Sequence, residues 1–257
     1  MKKIAVTGDW HEGSVFGLAD AQYVSAHKMK QSDCLMLHDD FMANRDLIGK
    51  IDYLFLMGDL ADGSNPLERA EDAIAEEKLQ KQMAAEYVRT FKGSPKIYAL
   101  RGSPYHRGRG STNIDELIAH EVGAVEDQYG KQASPRWLLD VEGVRFSLAH
   151  KTTVSRSAWQ YRATPLGIRL VLSRLNKLER DATPFILIRA HCHTFTYLGF
   201  KTQLGLTCPC YSTDSTFVQA EMSENTPDIG MVYFEVDDEK FSWKPLCRSV
   251  EVKAKRA

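Results

Sequence analysis

The chain has 257 residues, 43% hydrophobic and 26% charged, with a formal net charge of −1. That length suits one large domain or two small ones of ordinary globular composition. The charge balance excludes a global pull toward nucleic acid or membrane, so any such attraction has to be local.

KKIAVTGD reads as a strand of β-branched and small residues ending in a Gly-Asp turn. Residues 12–33 show no clear period and read as loop. CLMLHDDFMANRDLIGKI places Leu37, Phe41, Leu47 and Ile48 on one helical face. IDYLFLMGD is a second strand, hydrophobic throughout and therefore expected to be covered on both faces. Residues 63–91 read as one long helix. Asn65 is its N-cap, Pro66 fits its first turn, and Glu68, Glu71 and Asp72 suit the positive end of its dipole. PKIYAL is the third strand and TNIDELIAHEVGA a short helix. RWLLDVEGVRFSLAH reads as a hairpin turning at Glu142-Gly143. Residues 164–180 form an amphipathic helix carrying Leu166, Leu170, Leu175 and Leu178, and PFILIRAH is another buried strand. FTYLGF, GMVYFEVD and FSWKPLCRSVEVK make a β-rich tail. Alternating strands and helices followed by mostly strands give an α/β class, a two-sheet β-sandwich core flanked by helices. No linker interrupts the chain, so residues 1–257 are expected to form one domain whose part from about 194 completes the sandwich.

The N-terminal apolar run ends at Gly8 and Asp9, too short for a signal peptide, and no stretch approaches a membrane span. The five cysteines, Cys34, Cys192, Cys208, Cys210 and Cys247, are odd in number and lack a C-x-x-C pair. Reduced thiols and a cytoplasmic location are the expectation. Cys208-Pro-Cys210 offers two thiols, which alone do not complete a tetrahedral zinc site.

Acidic and histidine residues recur where strands end. GDWH gives Asp9 and His11, GDLAD gives Asp59 and Asp62, and RGSPYH gives His106; LAH gives His150, and RAHCH gives His191 and His193. In open α/β sheets that edge is where ligands bind. Residues two apart on an extended segment point the same way, so D-x-H and H-x-H can each face one point. Any single block is weak: Gly-Asp after a strand is commonly a turn, and His27, His38 and His120 are given no role. Together, two or more carboxylates and several imidazoles at one edge would be costly neighbours without a cation between them. Mixed nitrogen and oxygen donors suit Mn²⁺, Fe or Zn²⁺ rather than Mg²⁺ alone. In the third block, Arg101, Arg107 and Arg109 surround His106, an arrangement that could clamp a phosphate while His106 passes it a proton.

In these five blocks the sequence resembles the calcineurin-like metallophosphoesterases. Their ordered signature is D-x-H, G-D-x-x-D, G-N-H, a single H, then G-H-x-H, and all five occur here in order over residues 9–193. The resemblance implies a sandwich flanked by helices and a two-metal phosphoesterase, a hydrolase of ester bonds with a bridging hydroxide. Asp9, His11 and His193 would hold one cation, His150 and His191 the second, and Asp59 both. Asp62 would orient His106, the acid that protonates the leaving oxygen. The third block departs from the pattern: the usual metal-ligating Asn before the histidine is replaced by Ser103-Pro-Tyr, which is similar to a G-T-x-x-H form in phage- and prokaryote-associated members. Ser103 is thus a candidate, weaker ligand to the second cation. Ala190 and Ala149 stand where glycine is usual, and Cys192 between two ligands is expected to point into the core. The implied cofactor is a pair of divalent ions, with manganese first and iron or zinc as alternatives.

Residues 151–180 carry Lys151, Arg156, Arg162, Arg169, Arg174, Lys177 and Arg180 against Glu179, with Trp159 and Tyr161 among them. Basic residues with interleaved aromatics could track DNA or RNA; a plain solvated helix face fits the same pattern. A phosphodiesterase or nuclease is the first reading, and a small-molecule phosphomonoesterase the alternative. The absence of GDxxDRG and GNHE disfavours a protein phosphatase. A non-catalytic metal-binding scaffold or nucleic-acid-binding protein is the alternative of another class.

Overall fold

Strand β1 (Lys2–Thr7) sets the layering. Its alternate residues point to opposite faces: Ile4 and Val6 enter one buried cluster and Ala5 another. The computed structural model describes residues 1–27, 29–63, 74, 76–106, 113–151, 163–175, 183–213 and 226–250. After β1 come α1 (Ala21–Ala26), α2 (Gln31–Ile48), β2 (Tyr53–Leu56), α3 (Glu77–Thr90) and β3 (Lys96–Leu100). A 3₁₀ turn over Pro104–His106 precedes α4 (Ile114–Glu121), β4 (Ala133–Ser134), β5 (Trp137–Val141) and β6 (Val144–Lys151). The remaining elements are α5 (Thr164–Leu175), β7 (Phe185–Ala190), β8 (Thr196–Phe200), β9 (Gln203–Thr207), β10 (Asp228–Asp237) and β11 (Lys240–Ser249).

Two sheets result. The first runs β11-β10-β1-β2-β3-β4, with β1 to β4 parallel and β10 antiparallel to β1; the second runs β5-β6-β7-β9-β8, with β6, β7 and β9 parallel. Their facing sides make one core, where Phe55, Phe146 and Phe234 meet edge to face with centroids 5.5 and 5.6 Å apart. The outer side of the first sheet packs Leu54, Leu56 and Ala99 against Leu37 and Phe41 of α2, Tyr87 of α3 and Ile118 of α4. The outer side of the second packs Phe185 and Leu187 against Leu166 and Leu170 of α5. The expected α/β sandwich with flanking helices is therefore the observed one, and strands from the C-terminal part of the chain enter both sheets.

Local expectations differ in places. Residues 12–33 are not all loop. α1 forms where Asp20 caps Gln22 N and where Tyr23 and Val24 bury against Cys34 and Met83, and α2 begins at Gln31. Leu47, expected on the apolar face of α2, is 67% exposed, while Cys34, Leu37, Phe41 and Ile48 are buried. Of the helix expected over residues 63–91, Gly63, Ile74 and Glu76 are not helical and α3 begins at Glu77. Ile74 is non-helical, donating its N–H to Gly13 O at 3.0 Å and burying beside Met83, so tertiary contacts win over propensity there. The Asn65 cap lies outside the described residues, as do residues 176–180 of the helix expected to follow Thr164. The hairpin at Glu142-Gly143 forms as expected, both residues having positive φ as a two-residue type I′ loop requires.

Candidate metal centre

Because β1, β2 and β3 are parallel, their C-terminal ends share an edge, and the ends of β6 and β7 come to the same place. Asp9 and His11 follow β1, Asp59 and Asp62 follow β2, Ser103 and His106 follow β3, His150 sits near the end of β6, and His191 and His193 follow β7. The ladder between β6 and β7 shifts register between Leu148 and Lys151, which turns His150 toward the first sheet. Asp9, His11, Asp59, His191 and His193 all have positive φ, from 49° to 74°. Asp and His tolerate the left-handed region better than most residues, but it still costs about 1–2 kcal/mol each.

Three sets of candidate ligand atoms converge within 4.8 Å: Asp9 with His11 and His193, Asp59 with His150 and His191, and His11 with Asp62 and His106. The first two sets coincide with the two ligand groups that the resemblance implies. Asp59 is buried between them. Its Oδ1 accepts from Ser103 N at 2.7 Å, and its Oδ2 lies 2.9 Å from His150 Nε2 and 3.9 Å from His191 Nδ1. Asp9 Oδ2 accepts from His191 N at 3.0 Å, and Asp9 Oδ1 lies 3.8 Å from His193 Nε2 and 4.0 Å from His150 Nε2. His11 Nε2 and His193 Nε2 face each other at 3.1 Å.

The donor set fits cations. His150 Nδ1 is 2.7 Å from Met57 O, a pure acceptor, so Nδ1 carries the proton and Nε2 is turned toward two carboxylates. Asp9 Oδ1, Asp59 Oδ2, His150 Nε2 and Ser103 Oγ are all buried without a hydrogen-bond partner. Buried polar atoms are normally satisfied, so this concentration of orphans marks a place built for a ligand. Burial pushes the Asp9 carboxyl up, and Asp59 adds to that. Burial also opposes the Asp59 charge, but His150 and His106 outweigh it and hold that carboxyl well below the usual range. His150 is pulled down by burial yet raised to about 9 by Asp59, whereas burial and the neighbouring His11 hold His193 well below its ordinary value.

His106 stands at the rim, its ring centroid 4.4 Å from that of His11. Its Nδ1 lies 3.1 Å from Asp62 Oδ1 and 3.0 Å from Asp62 O, so Nε2 is outside the Asp62 contact. Asp62 Oδ1 is also 3.3 Å from His11 Nδ1. Burial disfavours the charged imidazole, but Asp59 and Asp62 raise His106 to about 10, and the Asp62 carboxyl, lifted by burial, is drawn down to about 2 by His106 and His11. Arg101 is engaged elsewhere: Nε donates to Ala133 O at 2.8 Å, and the guanidinium lies 3.8 Å from Glu116. Arg107 and Arg109 lie outside the described residues, as does most of the basic stretch after Lys151. Cys192 is buried as expected, and all five cysteines are free thiols.

Several supporting residues escaped the sequence reading. Asp228 N donates to His193 O at 2.9 Å, and Asp228 Oδ2 accepts from Phe195 N at 2.7 Å, bracing the last block from β10. Gln80 is fully buried on α3. Its Oε1 accepts from Gly63 N, and its Nε2 donates to Gly63 O and Ile74 O, fixing the backbone directly after Asp62. A signal existed for it: Gln80 occupies the apolar stripe with Met83, Ala84 and Tyr87.

No family model matches the sequence, and no curated protein matches it. Solved structures share the architecture weakly. Zinc-bound Vps29 from Entamoeba histolytica aligns over 96% of this chain and 98% of its own, at 12% identity and a TM-score of 0.44. The phosphoesterase Yfce from E. coli aligns over 95% and 99%, at 14% identity and a TM-score of 0.42. An archaeal phosphodiesterase aligns over 95% and 99%, at 7% identity and a TM-score of 0.44. At that level the likeness carries no functional inference. Among the described residues, no helix is long and apolar enough to cross a membrane.

Proposed function

We propose that the chain is a metal-dependent phosphoesterase of the calcineurin-like type, acting on phosphodiesters, nucleic acid among them, with manganese as the working metal. The observation that carries this reading is His150. Its Nδ1 is tied to Met57 O, which turns its buried Nε2 to within 2.9 Å of Asp59 Oδ2 and 4.0 Å of Asp9 Oδ1, where a cation would sit. Asp9, His11 and His193 would hold one cation, His150 and His191 the other, and Asp59 would reach both, with Ser103 Oγ beside the second. Two divalent cations, when bound, supply a nucleophile at neutral pH and offset the charge on the phosphoryl oxygens. The chain's own residues do the rest. Asp62 holds His106 through Nδ1, and the Nε2–H would serve the leaving oxygen as it departs. Iron and zinc suit the same donors.

The nucleic-acid part of the reading rests on the composition of residues 151–180, and binding there should weaken steeply as salt rises. The five free thiols are in keeping with a reducing compartment. Hydrolysis of bis-p-nitrophenyl phosphate tests the whole. Activity should require Mn²⁺, vanish with a chelator, and be lost in His106→Ala while metal uptake persists. Full activity in His106→Ala would overturn the acid assignment. Metal uptake without hydrolysis of any phosphate ester would favour the scaffold reading.

A further inference from the structure

We infer that Asp115 is a positioning residue for the metal centre, a single buried carboxylate that ties the loop bearing Asp59 to the loop bearing Ser103 and His106. The inference rests on the metal-centre reading above. Asp115 lies in the first turn of α4, after the Asn113 cap, and is fully buried. Its Oδ1 accepts from Leu60 N at 3.1 Å, and its Oδ2 accepts from Gly102 N at 2.8 Å. Leu60 directly follows Asp59, and Gly102 directly precedes Ser103, whose N–H donates to Asp59 Oδ1 at 2.7 Å. The two loops are thus closed into a ring: one carboxylate joins them through the backbone, and a second, Asp59, joins them through its own side chain. With Asp59 Oδ1 occupied in this way, only Oδ2 faces His150 and His191.

The chemistry explains why a carboxylate is used. Two N–H donors, of buried Leu60 and part-buried Gly102, converge on one point, and each needs an acceptor. Asparagine or serine offers one acceptor there, whereas Asp115 offers two. Such a group is costly to bury, and burial together with Asp59 pushes its carboxyl up to about 6. Its backbone bonds from Gly102 and Leu60 and the more distant His150 favour the carboxylate, and those two backbone contacts are its hydrogen-bond partners. Groups of this kind, one step behind the ligands, commonly change metal affinity by about 10–100-fold when altered.

The test compares Asp115→Asn with Asn113→Ala. The first keeps side-chain volume but turns an N–H donor toward one of the two backbone donors. The second removes the α4 cap, whose Oδ1 accepts from Asp115 N at 2.8 Å, at about 1 kcal/mol, and leaves both Asp115 carboxylate contacts to the loops in place. Mn²⁺ affinity and stoichiometry are read by electron paramagnetic resonance, stability by thermal unfolding, and kcat and KM with bis-p-nitrophenyl phosphate. Asp115→Asn should bind Mn²⁺ at least about tenfold more weakly and lose kcat rather than gain KM; Asn113→Ala should be destabilised with metal affinity unchanged. Wild-type Mn²⁺ affinity in Asp115→Asn overturns the inference. Hydrogen exchange on the wild-type chain provides a reading that needs no variant: Leu60 and Gly102 amides should be protected like those of the central strands, and exchange at loop rates overturns it. Wild type that binds Mn²⁺ but hydrolyses nothing defeats the phosphoesterase reading alone, whereas wild type that takes up no divalent metal defeats both.

Discussion

Gly102→Ala is the smallest change that should disable this centre. Gly102 is not in the left-handed region, so its dihedral angles do not demand glycine. Space does: a Cβ there would lie 1.8 Å from Asp59 Oδ1 and 2.4 Å from Asp59 N. Ordinary contact needs about 1.5 Å more, so either the carboxylate swings away or the two loops part. The first outcome forfeits the Ser103–Asp59 hydrogen bond, worth about 1.5–3 kcal/mol for a charged acceptor. The second adds overpacking strain of about 1–3 kcal/mol. Either route costs about 1–3 kcal/mol, which lowers Tm by roughly 2–12 °C in a chain of this size. Gly123→Ala is the control. Its φ is +67° and nothing lies within 4 Å of the added Cβ, so it should cost only about 1 kcal/mol of backbone strain. Thermal unfolding with and without Mn²⁺ separates the two. If Gly102→Ala melts with Gly123→Ala and keeps the Mn²⁺-dependent shift, the reasoning fails.

Glu12 is fully buried with both carboxylate oxygens unpartnered, and burial, Glu86 and Asp20 push its carboxyl well above 4.5. The folded state therefore keeps a proton that the unfolded state releases. Stability should fall by up to about 1.4 kcal/mol per pH unit as pH rises from the unfolded value toward the folded one. Glu12→Gln should flatten that slope; equal slopes between pH 5 and 8 in urea unfolding would contradict it. Asp9→Asn should stabilise the metal-free protein by about 1 kcal/mol by removing a buried charge with an orphan oxygen. It should also abolish the rise in Tm on adding Mn²⁺, a crossing of effects that calorimetry reads directly. Phe146→Ala should cost about 3–5 kcal/mol by opening the core between the sheets, with its denaturant midpoint as the measure. A loss below 1 kcal/mol would mean that the sheets are not held together there.

The parts of the site visible in the sequence were those whose chemistry needs a particular side chain. Asp9, His11, Asp59, His150, His191 and His193 announce themselves because imidazoles and carboxylates recur two apart just after apolar runs, and parallel strands bring such ends together. Residues that act by shape or by backbone contact were silent. Asp115 in a first helical turn looks like an acid favoured by the dipole, and Gly102 looks like any turn glycine; only the approach of the two loops gives either a meaning. Element ends failed for a related reason. Asn65-Pro66 supplies good local start signals, yet Ile74 is held out of helix by Gly13 and the cluster around Met83. β9, with Gly205 at its centre, is a weak strand on propensity; β7 and β8 pair with it on either side, Leu166 and Leu170 of α5 cover Gly205, and Leu204 and Leu206 enter the core between the sheets.

The left-handed backbone at Asp9 has an evolutionary corollary. A library sorted for heat resistance alone, with no ester in the screen, would drift to asparagine at position 9, which tolerates the left-handed region, still accepts from His191 N and removes a buried charge, for a gain of about 1 kcal/mol. On the phosphoesterase reading, hardier descendants would emerge with the same silhouette and no chemistry, so breeding this scaffold for endurance requires selection for turnover in every round.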